Sequence, residues 1–476
     1  MDPSTDDCSV QFAINVKEVR ITVKKEGLRL FALIIVAAGL RLLFGLGIVG
    51  SMPLISDAAS YSREAKDLLQ SFPGEDPYYW PPGLPYVLAL CYRLFGDSVF
   101  TARVLAIGIS TVNVVLSDRL ARAILLENRA ARIAGWIMAL YPPSILMTSQ
   151  TLSQPLEMTA VLAAAICTVE GMRRKQWIWG LGAGAALGFG VLVRSSLVSV
   201  VAGVAATALV FSLRRFSLLN RLASSILRKA TLSGLAAACI VCGPVVLHNY
   251  STGGGMAVST NNYRNLFLGN NPFTPLYKTN HLASTPLAEL PDQTRAYLRS
   301  FENDPDPRQS MVGEALTYMT RHPLETVVRT TSRIRQFWGF DYVASRRIQV
   351  AYELGLPAFL WVLLPEAGGY ALVVCLALTG LTDIAPYRVG ALLLISILIL
   401  WYQVPYWIAF SSGTYHYTVI GLLVPLAAVG AARWISWWRG AESLTSDRLL
   451  VFLFTGFALL QLEYAYFLYV YSPFGN

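Results

Sequence analysis

Long apolar blocks recur along the whole chain, and each is about as long as a membrane is thick. Roughly eleven of them can be counted in the 476 residues, separated by polar or basic connections. A helix needs about 20 apolar residues to cross a hydrocarbon core of roughly 30 Å. Hydrophobic residues make up 54% of the chain and charged residues 14%, which excludes a soluble domain, a disordered chain and a coiled coil. The sequence therefore predicts an all-α polytopic membrane protein.

The limits of these blocks predict the membrane-spanning helices and the loops between them. The first block, Leu28 to Gly50, is followed by blocks at about 99–120, 131–148, 155–170, 177–193, 195–212, 230–247, 367–383, 389–409, 416–432 and 449–470. Two external loops are large, with about 50 residues after the first span and about 115 between Asn249 and Glu366. The predicted organisation is a cytoplasmic segment 1–27, a transmembrane module 28–248 with its first external loop at 51–98, an external loop subdomain 249–366 and C-terminal transmembrane helices 367–476.

Basic residues predict the orientation of the chain, because cytoplasmic connections carry an excess of Lys and Arg. The first span follows a basic segment and has no small-residue cleavage site before Pro53, so we expect a signal anchor with its N-terminus inside. The net charge of +9 then reflects membrane topology and not nucleic-acid binding. The basic residues that this count places inside are Lys17, Arg20, Lys24, Lys25, Arg29, Arg119, Arg122, Arg129, Arg132, Arg173, Arg174, Lys175, Arg214, Arg215, Arg221, Arg228, Lys229, Arg388, Arg433 and Arg439.

The most informative polar stretch lies just after the first span. Helical spacing places Asp57, Tyr61 and Glu64 on one face of a short helix, with Asp57 nearest the membrane surface, where a lipid head group would lie. A carboxylate there can act as a general base on an acceptor hydroxyl or as a ligand of a divalent metal. In the alternative interpretation, Ser56 or Asp57 caps the helix by satisfying its free amide groups.

Further polar residues fall at span ends that the count places outside. Gln154 begins one span, where it can bind a ligand or cap the helix. Glu157 follows one turn later, and an intramembrane carboxylate costs roughly 2 to 3 kcal/mol on insertion scales, which predicts a partner or a cavity for it. Arg194 separates two spans, and its guanidinium can grip a phosphate through two parallel hydrogen bonds or snorkel to the interface.

The second external loop contributes another basic group. Arg329 and Arg333 are four residues apart in a segment with helical pattern from Ser310 to Trp338. They can meet anionic head groups in general or one lipid phosphate in particular, as can the nearby Arg335, Arg346 and Arg347. His416 lies at the outer end of a later span, where a lone histidine is more often structural than catalytic.

Together these features resemble those of the GT-C glycosyltransferase superfamily, in the bacterial branch similar to protein O-mannosyltransferases and lipid A aminoarabinose transferases. The resemblance spans roughly residues 28 to 440, and its motifs follow the family's order. They are Asp57 with Tyr61, Pro81-Pro82-Gly83-Leu84-Pro85, Leu94-Phe95-Gly96, Arg103, Gln154-Pro155, Leu192-Val193-Arg194, the segment Asn265 to Pro272, and Thr414 to Pro425 with Tyr415 and His416.

The resemblance implies an integral membrane enzyme that moves a sugar, with inversion, from a polyprenyl-phosphate donor to a lipid, glycan or protein acceptor. It also implies an active site on the external, periplasmic face of the bacterial inner membrane. In this interpretation Asp57 is the catalytic base, or it orients the acceptor and a metal. Arg194, Arg329 and Arg333 are expected to bind the donor phosphate, since that leaving group needs charge stabilisation. The remaining candidates for substrate binding are Tyr61, Glu64, Tyr79, Gln154, Glu157 and His416.

Two positions depart from the family's pattern and bear on a metal cofactor. This chain has Tyr79 before the proline-rich helix, where related transferases often have a Glu, and it has Gln154 where they carry a second acid. An amide oxygen is a weaker ligand for a divalent cation than a carboxylate. Either the site works without metal, with Arg supplying positive charge, or a divalent metal binds Asp57 with help from Glu64, Glu157 or Asp76.

Two other classes of function stay open at this stage. A transporter or flippase of lipid-linked glycans would also use many spans and buried Arg, although transporters often show internal repeats, and this sequence has none that we can find. A scaffold homologue that has lost catalysis would also lack the acidic ligands that are missing at Tyr79 and Gln154.

Overall fold

The computed structural model describes residues 25–126, 129–213, 221–383, 389–440 and 448–471. The predictions for Lys17, Arg20, Lys24, Arg214, Arg215 and Arg388 lie outside the described residues. The regular structure within the described ranges is helical. In chain order the helices are α1 Lys25–Ile48, α2 Asp57–Gln70, α3 Gly83–Phe95, α4 Val99–Leu125, α5 Arg129–Leu140, α6 Pro142–Leu146, α7 Ser153–Arg174, α8 Trp179–Val193, α9 Val198–Leu213, α10 Arg221–Ser251, α11 Asn261–Gly269, α12 His281–Ser284, α13 Asp292–Glu302, α14 Pro307–Arg321, α15 Pro323–Trp338, α16 Val343–Tyr352, α17 Leu356–Leu381, α18 Val389–Ile408, α19 Tyr417–Trp438 and α20 Arg448–Tyr471.

Eight helices in the described part of the chain are long and apolar enough to cross a membrane. They are α1, α4, α7, α10, α17, α18, α19 and α20. The apolar helices α8 and α9 are shorter, and the block predicted at 131–148 forms α5 and α6 with a break at Tyr141. Each predicted block is therefore helical, and the predicted all-α polytopic membrane fold is confirmed.

Helix α17 begins earlier than the sequence indicated. Its first residue is Leu356, which lies inside the segment predicted as external loop because that prediction ended the loop at the carboxylate of Glu366. Glu366 is completely buried in the helix, and its two oxygens accept hydrogen bonds from the backbone N–H groups of Ala344 (3.2 Å) and Ser345 (2.8 Å). Because these donors satisfy the charge, the carboxylate does not interrupt the apolar helix. The division of the chain into four segments is otherwise untested and stays a prediction.

Helices α8 and α10 pack with their backbones in close approach. Gly180 lies against Ala230 and Gly184 against Gly234, and a Cβ added at either glycine of α8 would overlap a backbone carbonyl of α10. Small residues spaced by four allow this close approach. The van der Waals contacts that result drive helix association in lipid, where the hydrophobic effect does not act between helices. The glycine stripe that also includes Gly188 is thus a helix-packing surface.

An intramembrane arginine fills the break between α5 and α6. Arg41 of α1 is completely buried. Its guanidinium donates to the carbonyls of Met138 (3.1 Å) and Ala139 (3.0 Å) at the end of α5, and to the hydroxyls of Ser110 (2.7 Å) and Ser144 (3.0 Å). The last carbonyls of a helix have no intrahelical donors, and lipid offers none. Arg41 therefore supplies the hydrogen-bond donors that these carbonyls need.

The helices between α10 and α17 enclose a small hydrophobic cluster of their own. Its buried members are Phe267, Leu268, Leu282, Leu290, Leu298 and Met311. The predicted helical stretch Ser310 to Trp338 divides into α14 and α15 at Pro323, where proline is tolerated in the first turn of the new helix. These helices lie at the same end of the membrane helices as α2.

Candidate active site

Side chains from two other elements hold the segment 50–55 that leads into α2. Arg103 on α4 is buried and donates hydrogen bonds to two backbone carbonyls of this segment, one of them 2.6 Å long. Gln150, in the turn before α7, accepts from a backbone N–H of the segment at 3.0 Å and donates to one of its carbonyls at 2.9 Å. These bonds fix the direction in which the chain enters α2 and therefore the place of Asp57.

Asp57 is the first residue of α2 and follows a strained backbone position. Ser56 has φ 53° and ψ −130°, a region that costs a non-glycine residue roughly 1 to 3 kcal/mol. Its side chain makes no capping hydrogen bond, so the capping interpretation fails for Ser56. The Asp57 side chain is 45% exposed, and its Oδ2 lies 3.8 Å from Nη2 of Arg347 on α16. The loop thus presents an accessible carboxylate beside a guanidinium.

Tyr61 connects the surroundings of Asp57 with Arg194. Its hydroxyl donates to Oγ of Ser153 (3.4 Å), which also accepts a hydrogen bond from Nη1 of Arg194 (3.2 Å). Burial raises the pKa of Tyr61 to about 12, the negative charge of Asp57 adds to that effect, and the positive charge of Arg194 opposes it. Tyr61 lies one helical turn after Asp57 on α2 and shares Ser153 with Arg194, so it links the predicted base to a predicted phosphate ligand.

Glu157 has a charged partner in the bundle. Its carboxylate is completely buried, and Oε2 lies 3.5 Å from Nε of Arg194. The same oxygen accepts hydrogen bonds from the hydroxyls of Tyr402 (3.0 Å) and Thr418 (2.9 Å). Arg194 is thus the partner that the cost of an intramembrane carboxylate predicted. In this position Glu157 holds Arg194, whereas its predicted contact with substrate stays untested.

Two tyrosines hold the guanidinium of Arg194 from other directions. Nη2 donates to the hydroxyl of Tyr406 (3.4 Å), and Cζ lies 4.9 Å from the ring centre of Tyr415, which stacks on Tyr406 at 4.6 Å. The Arg194 side chain keeps 18% exposure, so a ligand can still reach it. Sequence analysis missed Tyr402 and Tyr406; their spacing of four residues at the end of an apolar span was the available signal.

The other predicted substrate residues surround Tyr61. Trp80 packs edge-on to Tyr61 (5.9 Å between ring centres) and to the 41% exposed Tyr79 (5.1 Å). The backbone N–H of Trp80 donates to Glu64, yet burial raises the pKa of this carboxyl to about 7. Gln154 is buried, and its Oε1 has no hydrogen-bond partner among the described residues. Their roles in binding substrate stay predictions.

Arg329 and Arg333 contact residues other than those around Tyr61. Arg333 is completely buried and donates to the backbone carbonyls of Trp407 (3.0 Å), Ile408 (2.7 Å) and Gly269 (2.6 Å). Arg329 is also buried, with its Cζ 4.6 Å from the ring centre of Tyr318 and its Nη2 donating to carbonyls of the segment 271–274. Burial lowers the pKa of both groups, to about 9 for Arg333. This geometry favours a structural role, in which the two arginines fasten α15 to α11 and α18, over the predicted phosphate contact.

His416 has a structural environment as well. The side chain is buried, and its ring stacks on Tyr370 with 4.0 Å between ring centres. Nδ1 lies at hydrogen-bond distance, 2.8 Å, from the carbonyl of Phe337. These contacts agree with the structural alternative for a lone histidine, and its predicted contact with substrate remains untested.

The donor set near Asp57 does not fit a divalent metal well. Within the described ranges, no group of three or more His, Cys, Asp or Glu side chains is arranged to hold an ion. The charged neighbour of Asp57 is Arg347, and a guanidinium repels a cation. Arginine is therefore the source of positive charge that the described residues offer at this site.

Comparison with known proteins supports the resemblance on both sequence and fold. A family model described as dolichyl-phosphate-mannose-protein mannosyltransferase matches residues 80–248, about a third of the chain, which includes Gln154, Glu157 and Arg194 but not Asp57. A search among curated proteins finds no significant match. The family match confirms, over residues 80–248, the predicted resemblance to protein mannosyltransferases.

One solved structure, from an archaeon, shares the fold at low sequence identity, and a second superposes less well. The oligosaccharyltransferase AglB from Archaeoglobus fulgidus, in complex with an inhibitory peptide and a dolichol-phosphate, superposes with a TM-score of 0.51 and 13% identity over 92% of this chain and 55% of that chain. Apo ArnT from Cupriavidus metallidurans gives a TM-score of 0.40 and 15% identity over 86% of this chain and 78% of that chain. The chain thus spans about half the length of the AglB chain it matches.

Proposed function

We propose that this protein is an integral membrane glycosyltransferase that uses a lipid-linked sugar donor. The observation that carries the proposal is an accessible carboxylate, Asp57, one helical turn before Tyr61, whose hydroxyl shares Ser153 with the partly exposed guanidinium of Arg194. A transferase of this kind needs a base for the acceptor hydroxyl and positive charge for a phosphate leaving group. The similarity to mannosyltransferases over residues 80–248 supports the same class of reaction.

In the finer proposal, the donor is a polyprenyl-phosphate sugar and the reaction inverts the anomeric carbon. The acceptor oxygen forms a bond to that carbon while the bond to the phosphate oxygen breaks, and the bonding electrons leave with the phosphate. Asp57 takes the proton of the acceptor hydroxyl. Arg194 and Arg347 stabilise the departing phosphate, since both lie near this carboxylate or its neighbour Tyr61. The acceptor is a lipid, a glycan or a protein.

The proposed location is the bacterial inner membrane, with the site on the external face. Basic residues support this orientation, because Arg119, Arg122, Arg173 and Arg174 lie at the opposite ends of α4 and α7 from the Asp57 loop. A polyprenyl chain would then remain in the bilayer while its phosphate reaches Arg194 at the depth of the head groups.

The test measures release of free polyprenyl phosphate from a panel of polyprenyl-phosphate sugars, with a membrane extract as the source of acceptor. Wild type should release it, and Asp57→Asn should be slower by about 10² to 10⁴, the usual contribution of general-base catalysis. The matched control is Asp67→Asn, an exposed carboxylate on the same helix. Equal rates for Asp57→Asn and wild type would exclude Asp57 as the base. If a chelator abolishes activity and Mg²⁺ or Mn²⁺ restores it, a metal and not arginine supplies the positive charge at the site.

A further inference from the structure

A second polar site lies at the end of the bundle opposite Asp57. Helices α4 and α7 end side by side there, and residues of their last two to three turns line an open cavity of about 330 Å³. Arg103, which contacts the Asp57 loop near the start of α4, is 16 residues before Arg119 of the cavity lining, so about 24 Å of helix separates the two sites. The cavity is therefore a separate site, and its function does not depend on the transferase proposal.

Guanidinium groups dominate the charge around this cavity. Among the residues that the structure describes, Arg119, Arg122 and Arg173 line it, against one carboxylate, Glu170. That carboxylate is already occupied, because its two oxygens pair with Arg173 (3.0 Å) and Arg174 (2.9 Å) on the same helix. Arg122 pairs with Asp118 at 3.0 Å and with a second acid of α1. The lining therefore carries an excess of positive charge that an anion can neutralise.

Arg119 is the arginine of the lining that is available to bind a ligand. It is exposed, and it forms no ion pair with any other described residue. Arg122, in the last turn of α4, also interacts favourably with the helix dipole. That interaction accounts for a basic residue at the end of α4, but it does not account for three guanidinium groups from two helices around one cavity.

The remaining lining distinguishes a lipid from a soluble anion. Ala123 and Leu126 of the α4 end and Ile166 of α7 form an apolar wall beside the arginines. A phospholipid presents this combination, since its phosphodiester is anionic and its first acyl carbons are apolar. A free phosphate would use the arginines but gain nothing from the wall.

We propose that the cavity between the ends of α4 and α7 binds the phosphodiester of an anionic phospholipid from the leaflet opposite Asp57. Arg119 and Arg173 donate to the phosphate oxygens, and the apolar wall contacts the glycerol and the start of the acyl chains. The bound lipid then joins the ends of the two helices through its charge.

Lipid retention by the intact protein tests this proposal. The protein is purified in a mild detergent, and native mass spectrometry counts tightly bound lipids after addition of phosphatidylglycerol or the zwitterionic phosphatidylethanolamine. Wild type should retain about one more phosphatidylglycerol than Arg119→Ala/Arg173→Ala, and heat stabilisation by this lipid should fall in parallel. Arg119→Ala alone should show part of the loss, and it removes no ion pair between described residues.

The matched control is Arg132→Ala, an exposed arginine at the same end that does not line the cavity. It should retain phosphatidylglycerol as wild type does. Equal retention of the two lipids by wild type, or unchanged retention by the double variant, would overturn the proposal. Glycerol 3-phosphate provides the last arm: if it stabilises wild type as well as phosphatidylglycerol does, the site takes soluble phosphates and the lipid assignment is wrong.

Discussion

Nε of Arg194 lies 3.5 Å from Oε2 of Glu157, whose carboxylate is completely buried. Glu157 lies in α7, and Arg194 directly follows α8. Each side chain neutralises the charge of the other. Breaking such a pair leaves an uncompensated buried charge, whereas replacing both partners by apolar groups often costs little. The pair therefore stabilises the bundle and holds the guanidinium toward the candidate active site.

Glu157→Ala should lower the free energy of unfolding by on the order of 3 to 5 kcal/mol, because Arg194 is then left without its carboxylate. Chemical or thermal unfolding in detergent measures this loss. Glu170→Ala on the same helix is the control and should cost at most about 1 kcal/mol, since its arginine pairs are near the surface. A double replacement, Glu157→Leu with Arg194→Leu, should be more stable than Glu157→Ala. If Glu157→Ala unfolds like the control, the pair contributes no stability.

Glu64 should make stability depend on pH. Burial raises its pKa from 4.5 to about 7, so between these values the folded chain keeps a proton that the unfolded chain has lost. Its contribution to stability is therefore largest below pH 4.5 and falls as the pH rises toward 7. Unfolding temperatures of wild type and Glu64→Gln, recorded across this range, should converge at low pH and separate near pH 7, where the variant is more stable. The exposed Glu75→Gln is the control, and a Glu64→Gln profile parallel to wild type would contradict this assignment.

Arg347→Gln should weaken donor binding, because it removes the guanidinium beside Asp57. A charge-assisted hydrogen bond contributes about 1.5 to 3 kcal/mol, so the KM for a polyprenyl-phosphate sugar should rise about tenfold or more. Arg346→Gln changes a neighbouring arginine on the same helix that instead hydrogen-bonds Gln349, and it should leave KM near the wild-type value. An unchanged KM in Arg347→Gln would show that Arg347 does not bind the donor and only pairs with Asp57.

Arg333→Met should loosen the contact of α15 with α11 and α18. The substitution leaves buried carbonyls of Trp407, Ile408 and Gly269 without their donor, a loss on the order of 3 kcal/mol. Limited proteolysis and thermal unfolding should both reveal it, whereas the exposed Arg321→Met should behave as wild type. The opposite pattern, with weaker donor binding and unchanged stability, would return Arg333 to the predicted role of phosphate ligand.

Sequence alone was enough to predict the features that depend on local composition or on the cost of desolvation. Block length predicted the spans, and the cost of burying Glu157 predicted that it has a partner. The spacing of Gly180 and Gly184, four residues apart in an apolar block, is likewise a local signal of the close helix contact that the structure shows. In each case a few neighbouring residues carry the physical reason.

Contacts between distant segments were not predictable in this way. The pairing of Asp57 with Arg347 depends on how α16 folds back over the first external loop. The carbonyls that bind Arg333 belong to residues far away in sequence, and backbone groups leave no trace in composition. The break at Tyr141, by contrast, has a local signal, because the two prolines that follow it favour the first turn of a new helix.

The buried arginine of the first span has a consequence for how the protein is made. A guanidinium at the centre of a single membrane helix costs roughly 2.5 to 3.5 kcal/mol to insert. Arg41 finds its partners on α4, α5 and α6, which are synthesised only after α1 has left the ribosome. The first span therefore enters the bilayer when Arg41 has a partner on its own helix, the carbonyl of Ala37, but none of its partners on the later helices. Assembly of this membrane protein is cooperative from its first helix, and a truncated chain that stops before α5 should be a substrate for quality control.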